Sequence, residues 1–331
     1  MIADRRDRRL FFHAYDHQRP LGGQKHTYAQ VDTLVAAGFD AWVVHGRDGF
    51  RLDWFANATP VIGPTELARR YESDRDLVVL PEDLGAQLRT APGRKVIFNK
   101  GIYNGFRALE LDEPSPYEAP DVIAALAVSP HNASILRFAY PSLPIHVTRP
   151  GLDVSRFPGR PLRDKARRIA WVAKNPSATA ALQHMLAARA RGGHNALGSF
   201  TWTRIHNLTE QATAAVLEDS LAFVFLGIEE GYGLAPREAA LAGCITVAFD
   251  AGTLAGLDPR GLVCPQDLLG AATLLEEIAA RHPDALADWQ LSVDAARGRI
   301  VDEAALAAGE AITAWDAILG AARGSKSDLR R

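Results

Sequence analysis

LAFVFLGIEEGYGLAPREAALAGCITVAFDAG, residues 221–252, runs a strand, a glycine-rich turn, a helix and a second strand together without a gap. Leu221 to Leu226 is a short uninterrupted apolar run, as expected of a parallel strand buried on both faces. In Glu229-Glu230-Gly231-Tyr232-Gly233-Leu234 two acids stand with two glycines, so the backbone can approach a ligand with no Cβ in the way. Pro236 marks a helix start, where its missing N–H would have no partner; Ala235 to Ala242 are good helix formers and Gly243 closes them. Cys244 to Phe249 returns as a strand. So tight a unit predicts a right-handed crossover, with the glycine turn at the carboxyl edge of a parallel sheet, where open α/β sheets bind ligands.

Charge supplies the chemistry. Free N–H groups at a helix start attract anions by roughly 0.3–1 kcal/mol, up to about 2 when partly buried, and phosphate suits them. Glu238, read here in the first helical turn, is a pure acceptor suited to a pair of sugar hydroxyls; on position alone it is equally a capping and dipole residue. Glu230, in the turn, can face the same cavity.

The order E-G-Y-G-L-x-x-x-E-A-x-x-A-G, from Glu230 to Gly243, resembles the donor-site signature of retaining glycosyltransferases of family 4 and their relatives. The resemblance implies an α/β GT-B fold: two Rossmann-like domains with parallel sheets facing an interdomain cleft. It also implies that Glu238 holds the ribose of a nucleotide sugar and that Glu230 lies near the transferred sugar as a catalytic residue. The Gly233-Leu234 backbone would approach the phosphates, with Gly231 and Tyr232 in the same donor-binding turn.

Composition sets bounds. A chain of 331 residues has the length of about two domains. With 37 basic and 39 acidic side chains the net charge is −2, and nothing demands nucleic acid. The only cysteines, Cys244 and Cys264, have no metal-type spacing and form no disulfide framework, which points to a reducing cytoplasm. No run of about 18 apolar residues and no apolar signal core is evident, so the expected protein is soluble or at most peripheral at the inner membrane face. Met1 to Arg9 carries four arginines; it reads as a frayed, solvated arm, although such an arm could touch an acidic membrane.

Along the chain, Leu10 to Tyr15 reads as the first strand, Gly22-Gly23 as a loop, and Gln24 to Ala37 as a helix with Tyr28, Val31, Leu34 and Val35 on one face. Ala41 to His45 follows as a strand. This β, GG, α, β order resembles the first unit of the same enzymes, whose glycine loop faces the cleft. Val61-Ile62, Leu77 to Leu80 and Lys95 to Phe98 are further strands. Asp74-Arg75-Asp76 looks like the D-x-D metal motif of the other glycosyltransferase fold, but it precedes its strand where that motif follows one, so no metal is expected. Asn99-Lys100 ends a strand and either meets donor or acceptor in the cleft or is a plain turn. Ala124 to Ser129 is a strand, and Ser129 caps a helix that carries His131.

Arg149-Pro150-Gly151-Leu152-Asp153 to Phe157 resembles the segment leading into the second domain of these enzymes. The expected division is an acceptor-side domain over 1–150, a donor domain over 151–310, and a crossover helix and tail over 311–331, the tail disordered from Gly324. Arg160, Arg163, Lys165, Arg167 and Arg168 read as a solvated basic surface. After the strand Ile169 to Ala173, Lys174 matches the cation that, in the family, stabilises the leaving diphosphate. The sequence departs from the pattern at Ala173, which is often cationic there, and at Thr179, where many members carry a second lysine. Ser199 to Asn207, with Trp202 and His206, would lie near the base pocket, and Asp250 to Thr253 would border the donor.

A dehydrogenase is disfavoured, because Gly231-x-Gly233 lacks a third glycine and comes late in the chain; neither a P-loop nor a G-x-S-x-G is present. The expectation is a glycosyltransferase that moves a sugar with retention from a nucleotide-diphosphate sugar to a glycan, lipid-linked or protein acceptor, in envelope or polysaccharide synthesis. No cofactor or metal is expected beyond that co-substrate. Gly22, Gly23, Asn99, Lys100 and His131 would line the acceptor side or the cleft, and the resemblance implies an N-domain histidine near the donor, for which His131 and His13 are the candidates. A nucleotide-sugar epimerase and a non-catalytic binding protein of the same architecture stand as alternatives.

Overall fold

The computed structural model describes residues 5–110, 113–250, 252–254, 256–281 and 283–328. Its chain forms two compact units, one of Met1–Gly151 with Ala305–Arg331, the other of Leu152–Ala304.

The first unit contains β1 (Arg9–His13), α1 (Gly22–Ala36), β2 (Asp40–Val44), β3 (Val61–Ile62), α2 (Pro64–Arg70), β4 (Leu77–Pro81), β5 (Arg94–Asn99), α3 (Asn104–Arg107), β6 (Val122–Ala127), α4 (Pro130–Ala139) and β7 (Ile145–Val147). All pairings are parallel, in the order β3-β2-β1-β4-β5-β6-β7. The chain winds outward from β1 to β2 and β3, then returns to β4 on the other flank, so the carboxyl ends of β1 and β4 border a topological switch point. Apolar runs make the central strands: all five residues of β4 are buried, as are Leu10, Phe11 and Phe12 of β1.

Several expectations change here. Gly22 and Gly23 are the first two residues of α1, not a loop, with Leu21 extended as the N-cap (φ −132°). Neither glycine needs a positive φ, so nothing keeps them out of the helix. Tyr28, Val31 and Leu34 are buried as expected, but Val35 is 39% exposed, because the buried arc turns toward His26, Thr27 and Gln30 and leaves Val35 at its rim. The basic arm is bound, not frayed, over its described part. Arg5 pairs with Asp316 (2.8 Å) and donates to the Ala37 carbonyl; Arg8 is buried and donates to the Arg75 and Ala322 carbonyls; Arg9 pairs with Asp76 (3.0 Å). Asp76, half of the D-x-D string, is consumed in that buried pair.

The second unit contains β8 (Ala166–Trp171), α5 (Pro176–Arg191), β9 (Thr201–Arg204), α6 (Glu210–Asp219), β10 (Ser220–Phe225), α7 (Leu234–Leu241), β11 (Ile245–Phe249), β12 (Leu262–Val263), α8 (Leu268–Ala280) and the start of α9 (Ala287–Asp328). Its strands are parallel in the order β12-β11-β10-β8-β9. Here β8 and β10 flank the switch point. The unit β10-α7-β11 is the strand, helix and strand of residues 221–252, with Ala222 opposite Ile245 and Phe225 opposite Ala248. The basic cluster is largely structural, because helix C-termini leave carbonyls in need of donors. Lys165 is buried and donates to the Glu218 and Ala242 carbonyls, both at 2.8 Å, and Arg160 and Arg168 share Asp219.

The long helix α9 gives its first part to the second unit and residues from Ala305 to the first, six residues earlier than the 311 expected from sequence. Glu310 pairs with Arg149, and Trp315, fully buried, packs edge-on against Phe12 at 5.4 Å. The helix continues to Asp328, through the residues expected to be disordered, since a lone glycine weakens a helix by only about 1 kcal/mol. By length and composition, with a mean hydropathy of 1.2, it could cross a membrane, but Ile300, Ala311, Trp315, Ile318 and Leu319 are buried inside the protein.

Candidate functional site

At the carboxyl end of β8 the chain passes through Lys174 to Asn175, whose side chain accepts the Ala178 N–H (3.2 Å) and caps α5. At the end of β10 it passes through Gly227 into Glu229 and Glu230. These two strands neighbour one another at the switch point, so their loops meet. Lys174 Nζ lies 2.8 Å from Glu230 Oε1, with the lysine half-exposed and the glutamate mostly buried. Gly227 makes room for this approach, because a Cβ there would stand 3.0 Å from Lys174 Cγ and 2.8 Å from the Phe225 ring.

The turn then reaches Gly233, the N-cap of α7, at φ +78° and ψ +63°. A Cβ at Gly233 would stand 2.7 Å from Leu254 Cδ2, so both conformation and space demand glycine. Gly231 is buried within the turn, and Leu234, half-buried, opens the helix. Glu238 is the fifth helical residue and lies in the second turn of α7, not the first, because the helix starts at Leu234 directly behind Gly233. The side chain of Tyr232 is 4% exposed and faces inward, where the Arg237 guanidinium lies 4.0 Å from its ring centroid and Glu303 lies 3.4 Å from its hydroxyl. Only the backbone of Tyr232 can meet a ligand there. Arg237 itself had no signal in the sequence beyond a charge on the buried side of a short helix.

A second polar group occupies the carboxyl edge of the first unit's sheet. The stem of Lys100 runs beside Gly23, where a Cβ would stand 3.4 Å from Lys100 Cδ, and its ammonium lies 3.4 Å from Thr27 Oγ1. Burial lowers the Lys100 pKa and raises that of Glu82, and each of these charges counters the other's shift. Glu82, 2% exposed, accepts the Gly101 N–H at 2.6 Å. Asn99 is fully buried: it donates to the Gly101 carbonyl (2.6 Å) and Asn132 Oδ1 (3.2 Å) and accepts from the Tyr117 hydroxyl (2.5 Å). It therefore braces the edge from inside and does not line a surface. Ser129 caps α4 as expected, accepting the Asn132 N–H at 3.1 Å; His131 is exposed, while its neighbour Asn132 joins the buried network. The structure thus brings Gly23 and Lys100 together and leaves His131 apart from that network. Burial and neighbouring His45 lower the His13 pKa to about 4; burial and Lys100 lower that of His26 to about 3. Among the described residues, no cluster of three or more His, Cys, Asp or Glu is placed to hold a metal ion.

No family model and no curated protein matches the chain. Solved structures similar to it include a sucrose-phosphate synthase from Thermosynechococcus elongatus, at TM-score 0.61 and 15% identity over 97% of this chain and 99% of that one. Another is WaaG, a glycosyltransferase involved in lipopolysaccharide biosynthesis, at 0.60 and 11% over 91% and 98%. A third is an alpha-glucosyltransferase in complex with UDP and a 13-mer DNA containing a HMU base, at 0.53 and 12% over 88% and 94%. These likenesses establish the fold: two Rossmann-like units of the GT-B type.

Proposed function

We propose that the chain is a glycosyltransferase that moves a sugar, with retention, from a nucleoside-diphosphate sugar to an acceptor hydroxyl. The observation that carries this reading is the Lys174–Glu230 pair at the switch point of the second sheet, beside a glycine turn that opens a helix. An ammonium and unpaired helix-start amides are what a leaving diphosphate needs, and they act here in the role a metal ion fills elsewhere. In this mechanism the diphosphate takes Lys174 from Glu230, and the amides around Gly233 and Leu234 bind its other oxygens. The released Glu230 carboxylate orients the transferred sugar, and Glu238 accepts from the ribose hydroxyls. Gly22, Gly23 and Lys100 form the acceptor side. Similar folds in a WaaG glycosyltransferase and in a UDP complex support the assignment. One of those neighbours holds DNA, but 37 basic against 39 acidic residues give this chain no surplus charge for a polyanion, so the proposed acceptor is a glycan, a lipid-linked sugar or a protein.

A binding protein without turnover is the second reading. Its support is Thr179, which stands where a second cation is expected yet is buried with its hydroxyl donating to the Asn175 carbonyl at 3.0 Å. Calorimetric titration with UDP-, GDP- and TDP-sugars, followed by assays of transfer and donor hydrolysis, separates the two. Transfer to an acceptor with retained anomeric configuration is the expected result, and binding without turnover on any acceptor favours the second reading. Failure of all three donors to bind would remove the donor site altogether.

A further inference from the structure

Arg237, the fourth residue of α7, is 3% exposed, and burying its charge carries a desolvation cost that only well-placed partners offset. Its fork is fully directed. One Nη donates to the Tyr232 carbonyl, the other to the Thr253 carbonyl at 3.1 Å, and Nε to Glu303 at 3.2 Å, while the Tyr232 ring lies 4.0 Å away. Packing α7 on its sheet does not require this, since Ala239, Ala240 and Leu241 already do so. One arm of the fork holds a single peptide plane. The Tyr232–Gly233 bond is trans, so a Tyr232 carbonyl held by Arg237 points the Gly233 N–H the opposite way, away from Arg237.

We propose that Arg237, oriented by Glu303, is a positioning residue for nucleotide binding: it fixes the Gly233 amide as a preformed anion donor and ties that turn to α9. This rests on the donor-site reading above. Glu303 lies two residues before Ala305, where α9 passes to the other unit, so an occupied turn also steadies the helix at that point.

The full-length chain tests this with UDP, GDP and TDP as probes. Affinity is measured by calorimetry, folding by thermal melting, and amide hydrogen exchange over residues 299–306 with and without nucleotide. Arg237→Lys keeps the charge but loses the planar fork; it should bind the preferred nucleotide about tenfold more weakly or worse, the loss expected for one charge-assisted hydrogen bond. Nucleotide should slow exchange over 299–306 in the wild type and not in Arg237→Lys at saturation. A variant that melts lower yet binds with unchanged affinity and keeps the protection would reduce Arg237 to a packing residue and overturn the proposal. If Arg237→Lys does not fold, Glu303→Gln carries the same test, and wild-type affinity and protection in it are likewise fatal. A wild-type chain that binds none of the three nucleotides removes the donor site and this inference with it; binding unaffected by either substitution removes this inference alone.

Discussion

Gly233 sits where an L side chain is unfavourable twice over, in backbone conformation and in the 2.7 Å approach of Leu254. Gly233→Ala should lower unfolding free energy by about 1–2 kcal/mol from the left-handed backbone alone, with the Leu254 clash adding to it; urea unfolding measures this, and an unchanged midpoint would show that the turn relaxes freely. For Glu238→Ala the expected loss is about 1.5–3 kcal/mol of nucleotide-sugar affinity; equal affinity would leave Glu238 a structural helix residue. The buried histidines set an acid limit. In the folded chain His13 and His26 have pKa values lowered to about 4 and about 3, whereas unfolded imidazoles titrate near about 6.5. The unfolded state therefore takes up protons first, so stability is whole above about pH 6.5 and falls as the pH drops toward 4, by about 1.4 kcal/mol per pH unit for each histidine. Urea midpoints between pH 7 and 4.5 should show that slope, and His26→Gln should flatten it. That Lys174 and Glu230 stand close together was foreshadowed by the resemblance and by their places after neighbouring parallel strands. Arg237 and Asn132 were not, because one buried polar side chain leaves no periodic trace.

Among the elements, the long apolar strands were plain in the sequence, because burial on both faces leaves few polar residues in them; β10 and β11 lie within a residue of their expected ends. The edge strands β7 and β12, three and two residues long, were not, since pairing on one side asks little of their side chains. Helix starts were readable where a cap is chemical, as at Ser129, and misplaced where it is only conformational, as at Leu21 before α1. Asn175 is a chemical cap next to Lys174. Asn175→Ala should lower stability by about 1 kcal/mol through α5 and, by loosening the residue beside it, weaken nucleotide binding as well. Parallel urea and calorimetric measurements check this, and loss of stability with intact affinity would show that Lys174 is positioned independently of the cap.

At the scale of the whole molecule, the first unit is joined from two distant segments of the chain. Arg8 donates from the N-terminal arm to the Ala322 carbonyl of α9, and Arg94 donates to the same oxygen at 3.0 Å. Arg8→Ala should lower unfolding free energy by about 1.5–3 kcal/mol, the range for hydrogen bonds to a charged group; equilibrium unfolding with no change would mean that the arm is dispensable. Pattern alone could not foresee this, because four arginines in nine residues read as a solvated tail until the acids and carbonyls that fix them are known. The same arrangement bears on how the chain is made. The first unit is discontinuous: Phe12 receives its cover from Trp315, more than three hundred residues downstream, whereas the second unit is one unbroken segment, 152–304. During synthesis the ribosome therefore delivers the last piece of the N-terminal unit only after the second unit is complete. Where domains usually complete their folding in the order they emerge, the first unit here must wait for its last segment, and until then Phe12 lacks the cover of Trp315.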